Sequence, residues 1–319
     1  MDTSAFQTFT DRLVRSVSKA IVGKEAVVEM VAYDLVVGGH VLFEDNPGLG
    51  KTTLAKAVAK SLGCEFKRVQ FTADLLPADV TGAFVLDAGN AFRFLKGPIF
   101  TQILLADEIN RSPPKTQSAL LEAMQERQVT AENQTFHLPA PFAVFATQNP
   151  IEYEGTYPLP EAQMDRFTVR LRMGYPSFDD EVTIIGTKHS PVDDLESVTK
   201  EFAPADLLAL QSQLDGVYVD NDLRKYIVSL ISETRSSEGV EVGVSPRGSI
   251  QLFRMCMAKA ACSGRDFVTP DDVKELAVPV LAHRLVLSPD SEVKGTTQAS
   301  IIQGALKRVP VPKVVGPEE

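Results

Sequence analysis

The sequence predicts an α/β domain followed by a small all-helical domain. Segments with strand and helix patterns alternate through the first half of the 319 residues, which is typical of a parallel sheet with helices on both faces. After Gly174-Tyr175-Pro176 the strand patterns stop and helical patterns follow. We therefore expect an α/β core at residues 1–190 and a helical domain at residues 191–319, whose end, VPVPKVVGPEE, is rich in proline.

Two helices are predicted before the first strand. Ser4 with Gln7 fits a capping box at the start of the first helix. The second helix is expected over residues 24–37 and ends at Gly38. Along the first helix, apolar residues repeat at steps of three and four, at Phe6, Phe9, Leu13, Val17 and Ile21.

The core is expected to contain five strands, each a short apolar or alternating run bounded by turn residues. They lie at residues 40–44, 64–71, 102–108, 141–149 and 167–173. Helices are expected at residues 53–62 and 115–127. Two hairpins, at residues 83–94 and 129–138, interrupt this pattern. They either cap the sheet or contact a partner, and both alternatives stay open.

The remainder of the chain shows helical patterns. Two of them begin with Ser245-Pro246 and Thr269-Pro270, an N-cap residue followed by proline at the first helical position. The patterns lie at residues 178–188, 204–214, 222–236, 245–262 and 269–285.

Charge and composition exclude several classes of protein. The chain has 32 Lys and Arg residues against 42 Asp and Glu residues, a net charge of −10, which argues against a general nucleic-acid or anionic-membrane binder. No apolar stretch is long enough to span a membrane, and the N-terminus lacks the pattern of a secretory signal. The three cysteines, Cys64, Cys256 and Cys262, form no CxxC pair, so we expect a reducing, cytoplasmic location.

A Gly-rich loop is the strongest chemical signal. The segment NPGLGKTT follows a predicted strand and precedes a predicted helix, and Gly48 and Gly50 let its backbone wrap around a phosphate chain. Lys51 is expected to bridge the β- and γ-phosphates, and the Thr52 hydroxyl to bind Mg²⁺. Asp45 stands where the general pattern has glycine, and the alternative is an ordinary Gly-rich turn, which the flanking segments disfavour. The expected nucleotide-binding residues of this segment are Asn46, Pro47, Gly48, Leu49, Gly50, Lys51, Thr52 and Thr53.

Polar residues at the ends of two further strands belong to the same predicted site. The segment ILLADE places Asp107 and Glu108 at the C-terminal end of a buried strand, where ligands bind in open α/β sheets. Asp107 is expected to hold Mg²⁺, and Glu108 to activate the attacking water as a general base. Asn149, in FATQNP, is expected to hydrogen-bond the γ-phosphate or the water, although on this segment alone it also fits a turn before Pro150.

Three segments together resemble the MoxR family of AAA+ ATPases: EDNPGLGKTTLAKA, LLADEINRSPPKTQSALLEAMQE and ATQNPIEYEGTYPLPEAQMDRF. The resemblance implies a P-loop core whose parallel five-stranded sheet has the order 5-1-4-3-2, followed by a helical lid. It also implies a homo-oligomer, usually a hexameric ring, that binds ATP with Mg²⁺ and remodels other proteins. A partner protein with a von Willebrand factor A domain is implied as well.

The resemblance assigns roles to further residues. Arg166, in MDRF, matches the arginine finger that reaches a neighbouring subunit's nucleotide, and Arg247, in SPRGS, matches the sensor 2 arginine at the start of a lid helix. Val22 and Gly23 match the stretch that lines the adenine pocket. Arg111 matches a residue near the subunit interface, and its role stays open.

Together these observations predict an ATP hydrolase with ATP and Mg²⁺ between core and lid. Hydrolysis is expected to move the lid and so to remodel or mature a protein partner, including by metal or cofactor insertion. Two alternatives stay open. One is a nucleotide-gated assembly scaffold with little turnover. The other is a motor subunit of a chelatase-like or nucleic-acid-remodelling complex, and the net charge of −10 weakens its nucleic-acid form.

Overall fold

The computed structural model describes residues 2–87, 90–149, 155–187 and 195–312. Within these ranges the strands are β1 (Val41–Glu44), β2 (Phe66–Gln70), β3 (Gly82–Leu86), β4 (Phe92–Lys96), β5 (Ile103–Asp107), β6 (Gln128–Ala131), β7 (Gln134–His137), β8 (Ala143–Gln148), β9 (Val169–Leu171), β10 (Val240–Val242) and β11 (Val286–Leu287). The helices of the same ranges are α1 (Ser4–Val17), α2 (Glu25–Val37), α3 (Lys51–Ser61), α4 (Pro77–Thr81), α5 (Pro114–Glu126), α6 (Glu161–Met164), α7 (Phe178–Thr187), α8 (Pro204–Gln213), α9 (Asn221–Ser236), α10 (Pro246–Cys262), α11 (Pro270–Leu281), α12 (Pro289–Val293) and α13 (Gln298–Arg308). No helix in this described part of the chain is both long and apolar enough to cross a membrane.

Five parallel strands form the central sheet in the order β2-β5-β8-β1-β9. Numbered along the chain among themselves, these strands run 5-1-4-3-2 from one edge to the other, so the predicted order is confirmed. The carboxyl ends of parallel strands meet at one edge of a sheet. Gln70 therefore lies beside Asp107, and Glu44 beside Gln148, at the edge where the predicted site residues follow the strands.

The central strands are buried on both faces. Successive residues of a strand point to opposite faces: Leu105 and Phe145 belong to a core shared with α1, α2 and α3, whereas Leu104 and Val144 pack on the other face with residues of α5. All four side chains are fully buried. Such double burial explains why these segments appear in the sequence as nearly continuous apolar runs.

The helical region at residues 195–312, called the lid below, packs directly on the core. Its helix α10 contacts α1 and α2. Leu252 and Met255 of α10 belong to the same buried cluster as Leu13 and Val31. The predicted domain boundary after residue 190 lies outside the described residues and stays a prediction.

Both predicted hairpins are confirmed. Strand β3 pairs antiparallel with β4, and β6 with β7. Phe94 of the first hairpin stacks on Phe136 of the second, with ring centroids 4.1 Å apart, so the two hairpins pack against each other. Leu86 and Phe92 form the outermost cross-strand pair of the first hairpin, and both are exposed.

The first helix begins at Ser4, as predicted, but its end and its N-terminal cap differ from the prediction. It ends at Val17 rather than continuing to Ile21. Its N-cap is Thr3, which makes no side-chain capping bond, so the capping box predicted at Ser4 is wrong. The Asp2 carboxylate instead accepts a hydrogen bond from the Ser4 backbone amide at 2.9 Å.

The lid is helical, as predicted, but it contains elements that the patterns did not reveal. Strands β10 and β11 form a two-stranded antiparallel sheet. They have only three and two residues, too few to show a two-residue period. Helices α12 and α13 were also missed, although Thr297 and Ser300 form a capping box at the start of α13. The helix predicted over residues 269–285 ends at Leu281, and a 3-10 turn, Ala282–Arg284, follows it.

Candidate active site

The Gly-rich loop connects β1 to α3, as predicted. Gly48 and Gly50 have φ angles of 83° and 88°, in the left-handed region that glycine adopts without strain. A Cβ atom on Gly48 would meet nothing within 4 Å, so the surface of the loop is open at that point. Gly50 is the N-cap of α3 and makes no side-chain cap, which leaves the first amides of the helix available to an anion.

Lys51 begins α3, and its side chain folds back onto the loop. Its Nζ donates to the carbonyl oxygens of Asp45 and Asn46, at 2.7 and 3.0 Å. Burial lowers the pKa of Lys51, an effect that the carboxylates of Asp45, Asp107 and Glu108 oppose. The ammonium group is thus partly desolvated and surrounded by oxygen acceptors, a setting in which a phosphate can replace the two carbonyl groups.

Asp45 has a structural reason to replace the glycine of the general loop pattern. Its carboxylate accepts hydrogen bonds from the backbone amides of Met173 and Gly174, just after β9. Asp45 therefore ties the start of the Gly-rich loop to the segment that leaves the sheet at its edge strand.

The carboxylate of Asp107 is held from both neighbouring strands. Arg68 of β2 donates from Nη2 to Oδ2 at 2.6 Å, and the hydroxyl of Thr147 of β8 donates to Oδ1 at 2.6 Å. Arg68 therefore supplies a positive charge beside the residue that the sequence predicts as a Mg²⁺ ligand.

Glu108 follows β5 in a left-handed backbone conformation, with a φ angle of 55°. This conformation is uncommon for a residue with a side chain and is concentrated at functional sites. The Thr147 hydroxyl accepts a hydrogen bond from the Glu108 backbone amide at 2.8 Å. The Glu108 carboxylate accepts hydrogen bonds from Gln70 Nε2 at 2.6 Å and Arg111 Nη1 at 3.0 Å. Arg111, whose role the sequence left open, thus contacts the predicted general base.

These groups surround a cavity of about 430 Å³, a size within the range of small-molecule sites. The cavity brings together residues 47–53 of the loop, Asp107, Glu108 and Asn149. All of them were identified from the sequence as candidate site residues.

Besides Asp45, four further lining residues were missed by the sequence analysis: Arg68, Gln70, Thr147 and Gln148. Each is a polar residue at or near the C-terminal end of a strand adjacent to β5. Polar residues near the C-terminal ends of the strands that neighbour the strand of Asp107 are therefore the signal that could have found them.

Val22, Gly23 and Asn46, which were expected to bind nucleotide, do not line this cavity. Asn46 lies beside it, since its carbonyl accepts a hydrogen bond from Lys51. A Cβ atom on Gly23 would collide with the Asp180 carboxylate of α7. Helix α7 therefore packs over the stretch that was expected to line the adenine pocket.

Arg166 and Arg247 lie on a second cavity, of about 180 Å³, which Arg127 and Arg254 also line. Arg247 is in the first turn of α10. The lining of the first cavity comes entirely from residues 45–149 of the core. Among the described residues, no lid residue lines this cavity, and the lid packs on α1 and α2. The placement of a nucleotide between core and lid stays a prediction.

The donor set of the first cavity fits a nucleoside triphosphate with Mg²⁺. The open Gly-rich loop, the N-terminus of α3 and Lys51 provide the donors that a phosphate chain requires. Thr52 and Asp107 offer a hydroxyl and a carboxylate, oxygen ligands of the kind that Mg²⁺ takes together with phosphate oxygens and water.

Known proteins that are similar to this chain include a candidate ATPase and a chaperone. Residues 40–169 match the ATPase family associated with various cellular activities (AAA), and residues 232–304 match the AAA lid domain. The uncharacterized protein YeaC of Bacillus subtilis is 47% identical over 304 residues, which cover 94% of either chain. Chaperone MoxR1 of Mycobacterium tuberculosis is 40% identical over 314 residues, which cover 95% of this chain and 82% of that one. The crystal structure of a candidate ATPase from Cytophaga hutchinsonii matches with a TM-score of 0.90 at 36% identity, over 98% of this chain and 97% of that one.

The sheet order, the Gly-rich loop and the helical lid define an AAA protein with a polar cavity at the carboxyl edge of its sheet. Within that class, the chain belongs to the MoxR family of AAA+ ATPases.

Proposed function

We propose that this chain hydrolyses ATP with the help of Mg²⁺ and uses the reaction to remodel a protein partner. The observation that carries the proposal is that Lys51, Thr52, Asp107 and Glu108 border one cavity. A phosphate-binding lysine, a metal ligand and a general base are groups that transfer of a phosphoryl group to water requires. Membership of a family of ATPases supports the same activity.

Binding begins at the Gly-rich loop. Its backbone amides and the N-terminus of α3 hold the phosphates, and Lys51 exchanges the carbonyl groups of Asp45 and Asn46 for phosphate oxygens. Val22 and Gly23 are proposed to contact the adenine base of the nucleotide. Thr52 and Asp107 hold Mg²⁺, which neutralises charge on the phosphate oxygens when it is bound.

The chemical step depends on Glu108. Its carboxylate accepts a proton from the attacking water, while the Asn149 amide orients the water or the γ-phosphate without adding negative charge. The hydrogen bonds from Gln70 and Arg111 both fall on Oε2 of this carboxylate, so we assign the proton to Oε1. These two side chains therefore orient the base.

A homo-oligomer, proposed as a hexameric ring, completes the site. Arg166 and Arg247 line a cavity separate from that of Lys51, so we place them against the nucleotide of the neighbouring subunit. An arginine supplied in this way stabilises charge in the transition state and is worth about 10³–10⁵ in turnover in related systems.

The proposed partner is a protein client. The name of the relative Chaperone MoxR1 supports a chaperone-like role. More specifically, we propose that the client carries a von Willebrand factor A domain and acquires its metal or cofactor in the cytoplasm.

The variant Glu108→Gln tests the proposed hydrolysis, because it keeps the shape of the side chain and removes its basicity. We expect ATP affinity to stay at the wild-type level while phosphate release falls by about 10²–10⁴. Glu122→Gln, on the exposed side of α5, is the matched control. Retained turnover in Glu108→Gln would show that another group is the base. A wild-type chain that binds ATP and releases no phosphate would favour the scaffold alternative.

A further inference from the structure

Side chains of the lid hold the segment that carries Arg166. Arg284, in the 3-10 turn after α11, has a side chain that is only 1% exposed. Its guanidinium pairs with the Asp165 carboxylate and donates to the Asp165 carbonyl oxygen at 2.8 Å. The other terminal nitrogen donates to the carbonyl oxygen of Phe167 at 2.7 Å. A single buried side chain thus holds the backbone carbonyl groups of the residues before and after Arg166.

A second lid residue binds the same carboxylate. Ser245 is the N-cap of α10, yet its side chain makes no capping hydrogen bond, although an N-cap serine usually accepts one from the first turn. Its hydroxyl instead donates to Asp165 Oδ2 at 3.1 Å. Arg247 follows two residues later on the same helix. The Asp165 carboxylate therefore connects the segment that carries Arg166 with the start of the helix that carries Arg247.

These contacts are costly to separate because the guanidinium is buried. If Arg284 left Asp165, it would lose its counter-charge without gaining water. His283 adds a further link, since its Nε2 lies 3.1 Å from the Phe167 carbonyl oxygen. This part of the lid and residues 165–167 of the core should therefore move together.

We propose that Asp165 and Arg284 are positioning residues that hold Arg166 and Arg247 at a fixed separation. Both arginines then reach the neighbouring subunit's nucleotide as one unit. This inference rests on the proposed function, in which the two arginines act in trans. Asp165 and Arg284 do not line the Lys51 cavity of their own chain, so their loss is expected to lower turnover and to leave ATP binding intact.

A second ion pair of the lid provides a matched control. Arg265 donates to the two carboxylate oxygens of Asp272 at 2.9 and 2.7 Å, and neither residue lines the second cavity. Arg265→Met likewise removes an ion pair with one buried partner, here Asp272, whose side chain is 3% exposed. If ion pairs of this kind only stabilise the lid, Arg265→Met and Arg284→Met will affect turnover equally. If Arg284 positions the arginines, only Arg284→Met will lower kcat.

Co-assembly of full-length variants gives a readout that a stabilising role would not change. Lys51→Ala subunits bind nucleotide weakly and keep their arginines, whereas Arg166→Ala subunits bind nucleotide and lack the finger. Mixing these two is expected to restore turnover. Alone, Arg284→Met and Asp165→Asn are expected to lose at least about tenfold in kcat with an unchanged KM for ATP. Lys51→Ala subunits should rescue them, and Arg166→Ala subunits should not.

The outcomes separate the two levels of the proposal. If Lys51→Ala and Arg166→Ala do not complement each other, action in trans is wrong and the positioning role falls with it. If they complement, but Arg284→Met turns over at the wild-type rate or is rescued by Arg166→Ala subunits, only the positioning role is wrong. If Arg284→Met does not fold, Asp165→Asn keeps the side-chain volume and gives the same readout.

Discussion

The guanidinium of Arg68 pairs with the carboxylate of Asp107, with Nη2 2.6 Å from Oδ2. Asp107 is also the proposed ligand of Mg²⁺, so Arg68 and the metal ion compete for one carboxylate. The Arg68 side chain is 47% exposed, and ion pairs at such positions contribute up to about 1 kcal/mol. The competition is therefore weak enough for bound nucleotide and metal to overcome.

Removing this competitor is expected to ease metal binding. Arg68→Met should lower the Mg²⁺ concentration that half-saturates nucleotide binding by about twofold to fivefold. Titration with Mg²⁺ in the presence of a fluorescent ATP analogue measures this value. Lys67→Met, at the neighbouring position of β2, is the control. An increased Mg²⁺ requirement in Arg68→Met would mean that Arg68 helps to bind the nucleotide instead.

The Gly-rich loop can be tested at Gly48. Gly48→Ala places a methyl group where the phosphates are proposed to lie and forces a residue with a Cβ atom into the left-handed region, which costs about 1–2 kcal/mol. Gly295→Ala is the matched control, because Gly295 has a φ angle of 77° and its Cβ would also meet nothing within 4 Å. Urea unfolding should show similar losses of stability for both variants. Only Gly48→Ala should lose ATP binding, and equal binding by the two variants would argue against phosphates at this loop.

Stability should depend on pH through Asp34. Burial raises the pKa of Asp34 from 3.8 to about 7, although Thr168 and Arg127 oppose the shift. Between these values the folded chain binds more protons than the unfolded chain, so the contribution of Asp34 to stability falls as pH rises through this window. Asp34→Asn should therefore gain up to about 3 kcal/mol relative to the wild type between about pH 5 and pH 8. Urea unfolding at both pH values measures the difference, with Asp11→Asn on the exposed side of α1 as control. A gain that is the same at both pH values would contradict the raised pKa.

Contiguous segments explain what could be predicted of the site. NPGLGKTT includes both glycines and Lys51, and ILLADE places Asp107 and Glu108 at a strand end. In each case the relevant geometry, a strand-to-helix loop or the end of a buried strand, is determined by neighbours in the sequence. The strand order was available only through the resemblance to a family, because short parallel strands do not specify their neighbours.

The partners of these residues could not be predicted because they depend on distant pairing. Arg68 and Gln70 reach Asp107 and Glu108 only because β2 and β5 pair with Gln70 opposite Asp107. The partners of Asp165 lie still further away, since Ser245 and Arg284 belong to the lid. The lid's position on α1 and α2, which places Arg247 away from the Lys51 cavity, follows from packing of apolar faces that many arrangements could satisfy.

Equilibrium titration of the wild type, Lys51→Ala and Lys56→Ala with ATP and Mg²⁺ tests the central claim most directly. Lys56 is exposed on the same helix, so Lys56→Ala controls for the loss of a lysine from α3. We predict that Lys51→Ala weakens ATP binding by about 10- to 100-fold, as expected for the loss of hydrogen bonds to a charged phosphate, while Lys56→Ala binds like the wild type. Equal ATP affinity in Lys51→Ala and the wild type would contradict a nucleotide site at the Gly-rich loop.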